Sequence, residues 1–339
     1  MKQRRFTSPV VLGSMVGGGL TIALILYIGA GSVIKAVATA GLTGLVVVIL
    51  AHLPSLVLCG LAWRCLVPDA PCRASLLFVR ARWIRDAASS LIPVLPISGE
   101  LAAIRVLALQ GMSRARAGAS VVVDVTAEIV GQFLFTLFGL GLLVAHNPGD
   151  GIVFWVGAAL LVSAPVVTAF VLLPKTGAFR WLENLSERIA RSWNGDGLRG
   201  LHRGILITYA HRRRVLASVV LHFLAWIAGA AEAWAGFALL GYWLSVSDVL
   251  VIESLVYALR SVAFFVPSAL GIQEGAYVFL GAMFGLPPDI ALALSLLKRG
   301  REVALGAPGL AVWQWLESRR FWKRRQPAPP GSSSGLPPH

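Results

Sequence analysis

Residues 43–63 read TGLVVVILAHLPSLVLCGLAW and contain no Asp, Glu, Lys or Arg. The hydrocarbon core of a bilayer is about 30 Å thick, and an α-helix crosses it with about 20 residues. This stretch therefore predicts a transmembrane helix. Four further stretches are as long and apolar, and a fifth has the length but carries internal charges. The six predicted spans are 10–28, 43–63, 117–144, 152–173, 215–241 and the charged 289–316.

The composition agrees with a membrane protein and excludes an ordinary soluble one. Hydrophobic residues make up 57% of the 339 residues and charged residues only 14%, against about 25% charged in a typical soluble protein. The mean hydropathy is +0.75. We therefore expect an all-α polytopic fold, with a single integral membrane domain over 1–320 and a disordered Pro-, Gly- and Ser-rich tail over 326–339. Because the composition is that of a membrane protein, the positive net charge does not indicate nucleic-acid binding. The cysteine and histidine spacings match no zinc site, so neither a metal nor another cofactor is expected.

Two apolar stretches are interrupted by helix-breaking residues. Segment 84–110 contains Pro93 and Gly99, and segment 249–285 contains Pro267 and Gly271. Irregular backbone at membrane depth is tolerated only inside protein or beside a water-filled cavity. Both segments are predicted to be broken, re-entrant helices, and kinked full spans remain the alternative.

The two broken segments repeat each other at a constant offset of 174 positions. The repeat copies are about 84–143 and 258–316. The offset places Pro93 on Pro267, Glu100 on Glu274, Gly111 on Gly285, Asp124 on Lys298 and Glu128 on Glu302. Three spans separate the copies if each re-entrant segment returns to its own side, and an odd number of crossings inverts the second copy. Inverted repeats with broken helices are typical of secondary transporters.

Positive charge gives an independent prediction of topology. Segment 174–214 holds nine Lys and Arg residues, whereas 144–151 and 240–259 hold none. Because cytoplasmic loops are enriched in Lys and Arg, we expect both termini to be cytoplasmic. The basic segment 174–214 also suits an amphipathic helix on an anionic leaflet, or a site for a partner protein.

Several ionisable residues fall at membrane depth, where each costs about 2.5–3.5 kcal/mol even on the lenient insertion scale. The candidates for substrate binding or translocation are Glu100, Asp124, Glu128, Arg260, Glu274, Lys298, Arg301 and Glu302. If the repeat is real, Asp124 is expected to pair with Lys298, and Glu128 with Arg301. An ion-pair network that only fixes helix packing is the structural alternative.

The matched glutamates allow two interpretations. Glu100 and Glu274 could gate or accept protons beside a helix break, or each could cap the helix that follows. Three arginines before the first broken segment, Arg80, Arg82 and Arg85, are interpreted as positive-inside flanking residues rather than headgroup ligands.

The second copy also carries a family resemblance. The motifs VPSALGIQEGAY over 266–277, FGLPPD over 284–289 and LKRGRE over 297–302 resemble the membrane region of lysylphosphatidylglycerol synthases and its stand-alone flippase-like relatives. More narrowly, they resemble a membrane protein family associated with hopanoid biosynthesis. The resemblance implies a bacterial inner-membrane protein that moves or handles a lipid. Residues 317–339 are too few for the soluble aminoacyl-transfer domain of the full synthases, so lysyl transfer is not expected.

These observations together predict a lipid transporter or flippase rather than an enzyme. The expected ligands are a hopanoid or an anionic phospholipid, and proteins of lipid biosynthesis are possible partners. The alternatives are an intramembrane lipid-modifying enzyme and a non-catalytic scaffold for the lipid-synthesis machinery.

Overall fold

The computed structural model describes residues 9–67, 74–92, 97–146, 196–262, 266 and 269–325. In these residues the chain is helical and contains no strand. The helices are α1 (Pro9–Ile28), α2 (Ala30–Cys65), α3 (Ser75–Leu91), α4 (Ser98–Leu109), α5 (Arg114–His146), α6 (Asp196–Ala210), α7 (Arg212–Leu239), α8 (Val246–Val262), α9 (Ile272–Met283) and α10 (Pro288–Arg325). The all-α prediction is confirmed for this part of the chain.

Three of these helices, α2, α5 and α7, are long and apolar enough to cross a membrane. They contain the predicted spans 43–63, 117–144 and most of 215–241. The predicted span 152–173, most of the basic segment 174–214 and the tail 326–339 lie outside the described residues.

Helix α2 has the distribution of side-chain sizes expected of a helix in lipid. The helix buries small side chains such as Ala36 and Ala40, and it exposes Leu42 to 76% and Leu50 to 57%. Small residues at helix interfaces let backbones approach closely, while acyl chains solvate the large apolar side chains outside. The helix bends at Gly41, whose φ of +55° is a conformation that favours glycine.

The two broken segments are built alike. Helices α4 and α9 each have 12 residues and begin 174 positions apart, and α5 and α10 begin with the same separation. Gly111 after α4 and Gly285 after α9 both have positive φ, of 96° and 74°. The residue after each glycine donates its N–H to a carbonyl five residues earlier, as in a Schellman motif. At about 18 Å, neither short helix is long enough to cross a bilayer core.

The helices of the two segments also pack reciprocally. Helix α3 packs on α10, and α8 packs on α5. Each contact is tight, because a Cβ added at Gly306 of α10 would lie 2.7 Å from Leu91 of α3, and one added at Gly139 of α5 would lie 1.8 Å from the Ser254 hydroxyl of α8. The helix that opens one broken segment, α3 or α8, thus packs against the helix that follows the other, α10 or α5. A space remains where these two helix pairs meet.

Candidate functional site

A cavity of about 200 Å³ lies among α2, α3, α5, α7, α8 and α10. Charged side chains of both signs line it, accompanied by the imidazole of His52 and three aromatic rings. The charged lining residues are Arg82, Asp86, Glu128, Arg260, Arg301 and Glu302, and the aromatic ones are Trp83, Trp226 and Tyr257. The side chain of Asp86 is 40% exposed, so it lies where the cavity meets the surroundings.

The first wall of the cavity is built around Arg82 of α3. Its Nη1 and Nη2 donate to the two carboxylate oxygens of Glu128 at 2.8 and 2.6 Å, and its Nε donates to Asp86 at 3.0 Å. A two-pronged arginine–carboxylate pair fixes orientation as well as charge. Arg82 is therefore held by α5 while its own helix supplies the second carboxylate one turn away.

Arg85, one helical turn beyond Arg82, connects the wall to the protein interior. It donates to Asp124 at 2.9 Å, to Glu128 at 3.0 Å and to Glu100 at 3.3 Å. Asp124 is fully buried, and its other oxygen lies 3.0 Å from Nε2 of His222 on α7. Four helices are thus joined behind the cavity by one continuous set of charged contacts.

The second wall gathers three arginines around Glu302 of α10. Arg299 donates to Glu302 at 3.1 Å, whereas Arg260 and Arg301 lie at 3.7 and 3.8 Å. Arg299 also binds Glu274 at 3.1 Å. Arg260 further donates to Gln273. Its shortest ion pair, 3.7 Å, is longer than those of Arg299 and Arg301, which bind Glu274 at 3.1 Å and Glu232 at 2.6 Å.

A separate buried cluster lies beside this wall. The ammonium of Lys298 donates to Glu253 at 2.7 Å and contacts the Tyr277 hydroxyl at 2.7 Å, and that hydroxyl donates to Glu253. All three side chains are at most 2% exposed. None of them lines the cavity.

Five pairs of lining residues stand 174 positions apart. They are His52 with Trp226, Ser55 with Gly229, Trp83 with Tyr257, Asp86 with Arg260, and Glu128 with Glu302. The last three pairs consist of two aromatic rings, of opposite charges and of two carboxylates. Residues related by the constant offset of 174 therefore line the same cavity.

The structure separates the predicted site residues into two groups. Glu128, Arg260, Arg301 and Glu302 line the cavity, whereas Glu100, Asp124, Glu274 and Lys298 do not. The predicted pairing of Asp124 with Lys298, and of Glu128 with Arg301, is wrong. Asp124 binds Arg85 and His222, Lys298 binds Glu253, and Glu128 binds Arg82 and Arg85. The charges are satisfied by neighbouring helices that the sequence offset does not identify.

Two further interpretations are revised. Arg82 and Arg85 are only 8% and 6% exposed and bind carboxylates, so they are not solvated flanking residues. Glu274 does act as a helix cap, because its Oε2 accepts the N–H of Gly271 at 2.7 Å. Its counterpart Glu100 has a longer contact with Arg85 and is 26% exposed.

The sequence alone did not single out His52, Asp86 or Glu232 as site residues. Glu232 is the one acidic residue in the predicted span 215–241, and an ionisable residue at membrane depth is a functional candidate by default. The sequence therefore does contain a signal that identifies Glu232 as a candidate. His52 carried no such signal, because an isolated histidine in an apolar helix has no partner that the sequence identifies.

The cavity can accept a polar group that offers either charge. Its walls combine guanidinium donors with carboxylate acceptors, while its aromatic rings and the apolar helix faces around it suit hydrocarbon. In the described ranges, no group of three His, Cys, Asp or Glu residues could hold a metal ion.

Comparisons with known proteins identify the family. The chain matches no curated protein and no solved structure. The family model described as "Lysylphosphatidylglycerol synthase TM region" matches residues 10–309. Its long apolar helices and this family match identify the chain as a membrane protein of a lipid-related family. It belongs to the lysylphosphatidylglycerol synthase TM-region family.

Proposed function

We propose that this protein moves a lipid between the two leaflets of the bacterial inner membrane, with the headgroup passing through the cavity between the two broken segments. The observation that carries the proposal is the cavity itself. A water-filled or polar space lined by six charged side chains is costly in a membrane protein, and such residues mark substrate pathways.

The proposed architecture is an inverted repeat with the cavity on its pseudo-twofold axis. Supporting it are the equal lengths of α4 and α9, the matched glycines that follow them, and the five pairs of cavity-lining residues that stand 174 positions apart. Substrate sites of repeat transporters lie at the interface between the copies. In this arrangement six spans cross the membrane, both broken segments are re-entrant, and both termini are cytoplasmic.

The proposed substrate is a hopanoid or an anionic phospholipid. The family supports a lipid, and the resemblance to proteins of hopanoid biosynthesis supports the first of the two. The arginines of the cavity would hold a phosphate, whereas hydroxyl groups could bind both the arginines and the carboxylates. Arg260 is proposed as the first contact, since its ion pair with Glu302, at 3.7 Å, is longer than the shortest ion pair of Arg82, Arg299 or Arg301.

Reconstitution into vesicles of phosphatidylethanolamine and phosphatidylglycerol tests the proposal. The probes are a fluorescent phosphatidylglycerol and a fluorescent hopanoid, and a membrane-impermeant quencher reports how much probe is in the outer leaflet. The wild-type protein should speed movement of at least one probe, and Arg260→Gln should slow that movement at least tenfold. Arg319→Gln is the matched control, because Arg319 is exposed and lies over the Trp315 ring, away from the cavity.

Three outcomes would contradict the proposal in different ways. If neither probe moves faster than in empty vesicles, lipid movement is wrong. If both arginine variants slow movement equally, the cavity is not the path. If cells lacking the gene lose a modified lipid species while the distribution of the remaining lipids is unchanged, the protein is an enzyme instead.

A further inference from the structure

The wall of the cavity formed by α2 holds a histidine between opposite charges. Nδ1 of His52 lies 2.9 Å from Oε2 of Glu232, and the same nitrogen contacts Nη1 of Arg301. Glu232 and Arg301 are themselves paired at 2.6 Å. The carboxylate is fully buried, the guanidinium is 7% exposed and the imidazole is 22% exposed toward the cavity.

One ring nitrogen cannot satisfy both neighbours at once. A carboxylate only accepts hydrogen bonds, so Nδ1 must carry a proton to bind Glu232. A guanidinium only donates, so Nδ1 must lack a proton to bind Arg301. The triad of His52, Glu232 and Arg301 therefore has two mutually exclusive hydrogen-bond arrangements, which differ in the position of a proton.

The two neighbours also have unused hydrogen-bonding capacity. Among the described residues, Oε1 of Glu232 and Nε of Arg301 are buried and have no hydrogen-bond partner. A buried polar group without a hydrogen-bond partner destabilises the arrangement that leaves it so. A rearrangement of Glu232 or Arg301 that gives these atoms hydrogen-bond partners is therefore favourable when the contact with His52 is lost.

We propose that His52 is a proton-binding site that controls whether Arg301 is available to an anionic group in the cavity. When His52 takes up a proton, a new N–H bond forms and the lone pair that accepted from Arg301 is consumed. The imidazolium donates its new N–H to Glu232 and repels the guanidinium. Arg301 then turns toward Glu302, 3.8 Å away, or toward an anion beside it.

Charged residues of both signs surround His52. Apart from Glu232 of α7 and Arg301 of α10, five charged residues face it from the other walls: Arg82 and Asp86 of α3, Glu128 of α5, Arg260 of α8 and Glu302 of α10. On α7, His222 is bound to Asp124, and on α10, Lys298 is bound to Glu253. Histidine is the side chain that changes charge near neutral pH, so this wall can respond to physiological pH.

Proton binding at His52 and anion binding at Arg301 must influence each other reciprocally. If a proton on His52 frees Arg301 for an anion, then an anion on Arg301 must favour the proton on His52. In the proposed lipid transporter, on which this role rests, a proton gradient would therefore bias the binding of an anionic headgroup on one side of the membrane.

Nitrogen-15 NMR of histidine-labelled full-length protein in nanodiscs measures this site directly. His52→Asn, whose amide occupies the Nδ1 position and does not titrate, identifies the His52 signal among the six histidines. His211→Asn is the matched control, since His211 is exposed and its Nδ1 contacts only the Ile207 carbonyl. The wild-type His52 signal should change from neutral to protonated between pH 8 and pH 5.

The anion arm tests the coupling to Arg301. Dihexanoylphosphatidylglycerol should move the midpoint of the His52 transition to higher pH, and the same lipid added to Arg301→Gln should not. Dihexanoylphosphatidylcholine tests whether a net negative headgroup is needed, and inorganic phosphate tests whether the anion alone suffices. The proposal is overturned if His52 keeps one protonation state from pH 5 to 9, or if the lipid shifts both proteins equally.

The vesicle assay separates this proposal from the proposed function. If lipid moves at a rate independent of pH in the wild-type protein, transport stands and proton coupling is wrong. If His52 titrates as expected while neither lipid probe moves, the proton site stands and transport is wrong. If both hold, His52→Asn should give a flat pH profile, and His211→Asn should keep the profile of the wild type.

Discussion

Replacing Lys298 with methionine should destabilise the protein by about 3 kcal/mol, the lower end of the range for a broken buried ion pair. The ammonium is 2% exposed and binds Glu253, which is fully buried, at 2.7 Å. Removing one partner of such a pair costs about 3–5 kcal/mol, because the other charge is left without compensation. The Tyr277 hydroxyl still donates to Glu253, so we expect the smaller loss. Glu253→Gln should cost a similar amount for the same reason.

The double variant measures the pair itself. Lys298→Met combined with Glu253→Gln removes both charges of the pair, so its cost should fall short of the summed single costs by at least about 2 kcal/mol. The assay is reversible unfolding in mixed detergent micelles, followed by tryptophan fluorescence. Lys298→Met combined with Asp124→Asn is the control, and it should be additive within about 0.5 kcal/mol, as is usual for sites that share no partner. A larger coupling of Lys298 to Asp124 than to Glu253 would refute the reasoning.

Three further predictions rest on other parts of the molecule. Gly60→Ala should lower the melting temperature in detergent, because the new Cβ would lie 2.6 Å from a backbone atom of α3, whereas Gly141→Ala, with open space around it, should be neutral or slightly stabilising. Glu274→Gln should cost about 1 kcal/mol or more in the unfolding assay and Glu100→Gln less, because only the first loses a helix cap together with a buried arginine contact. Single cysteines at 243–247 should react with an impermeant thiol reagent added to intact cells, and labelling only after lysis would contradict the proposed topology.

The helices were predictable from the sequence because length and apolar composition determine them. Segment 43–63 lies within α2, and segment 117–144 lies within α5. The interruptions were also predictable, since α3 ends at Leu91 before Pro93 and α4 begins only at Ser98. Proline removes a backbone donor wherever it occurs, so this effect is local and needs no knowledge of the fold.

The partners of the charged residues were not predictable in the same way. Spacing along α5 places Asp124 and Glu128 on one face, but it does not say which helix covers that face. The structure supplies Arg85 from α3, a residue that a count of positive charges assigns to the cytoplasmic flank. Such counts weigh an arginine by its position in the chain, whereas its burial depends on carboxylates that only tertiary structure brings to it.

Helix α2 buries small side chains and exposes large apolar ones, and this distribution changes which substitutions the protein tolerates. Its exposed Leu42 would be nearly as well solvated by acyl chains as by a protein core, so trimming or exchanging it for another apolar residue removes little that lipid does not replace. Its buried Ala40, with 6% exposure, belongs to a packed apolar core, where a larger side chain is expected to overpack. The hydrophobicity rules used to engineer soluble proteins would predict that substitution is more damaging at Leu42 than at Ala40. In this helix the order is reversed, because its small residues make the contacts with other helices.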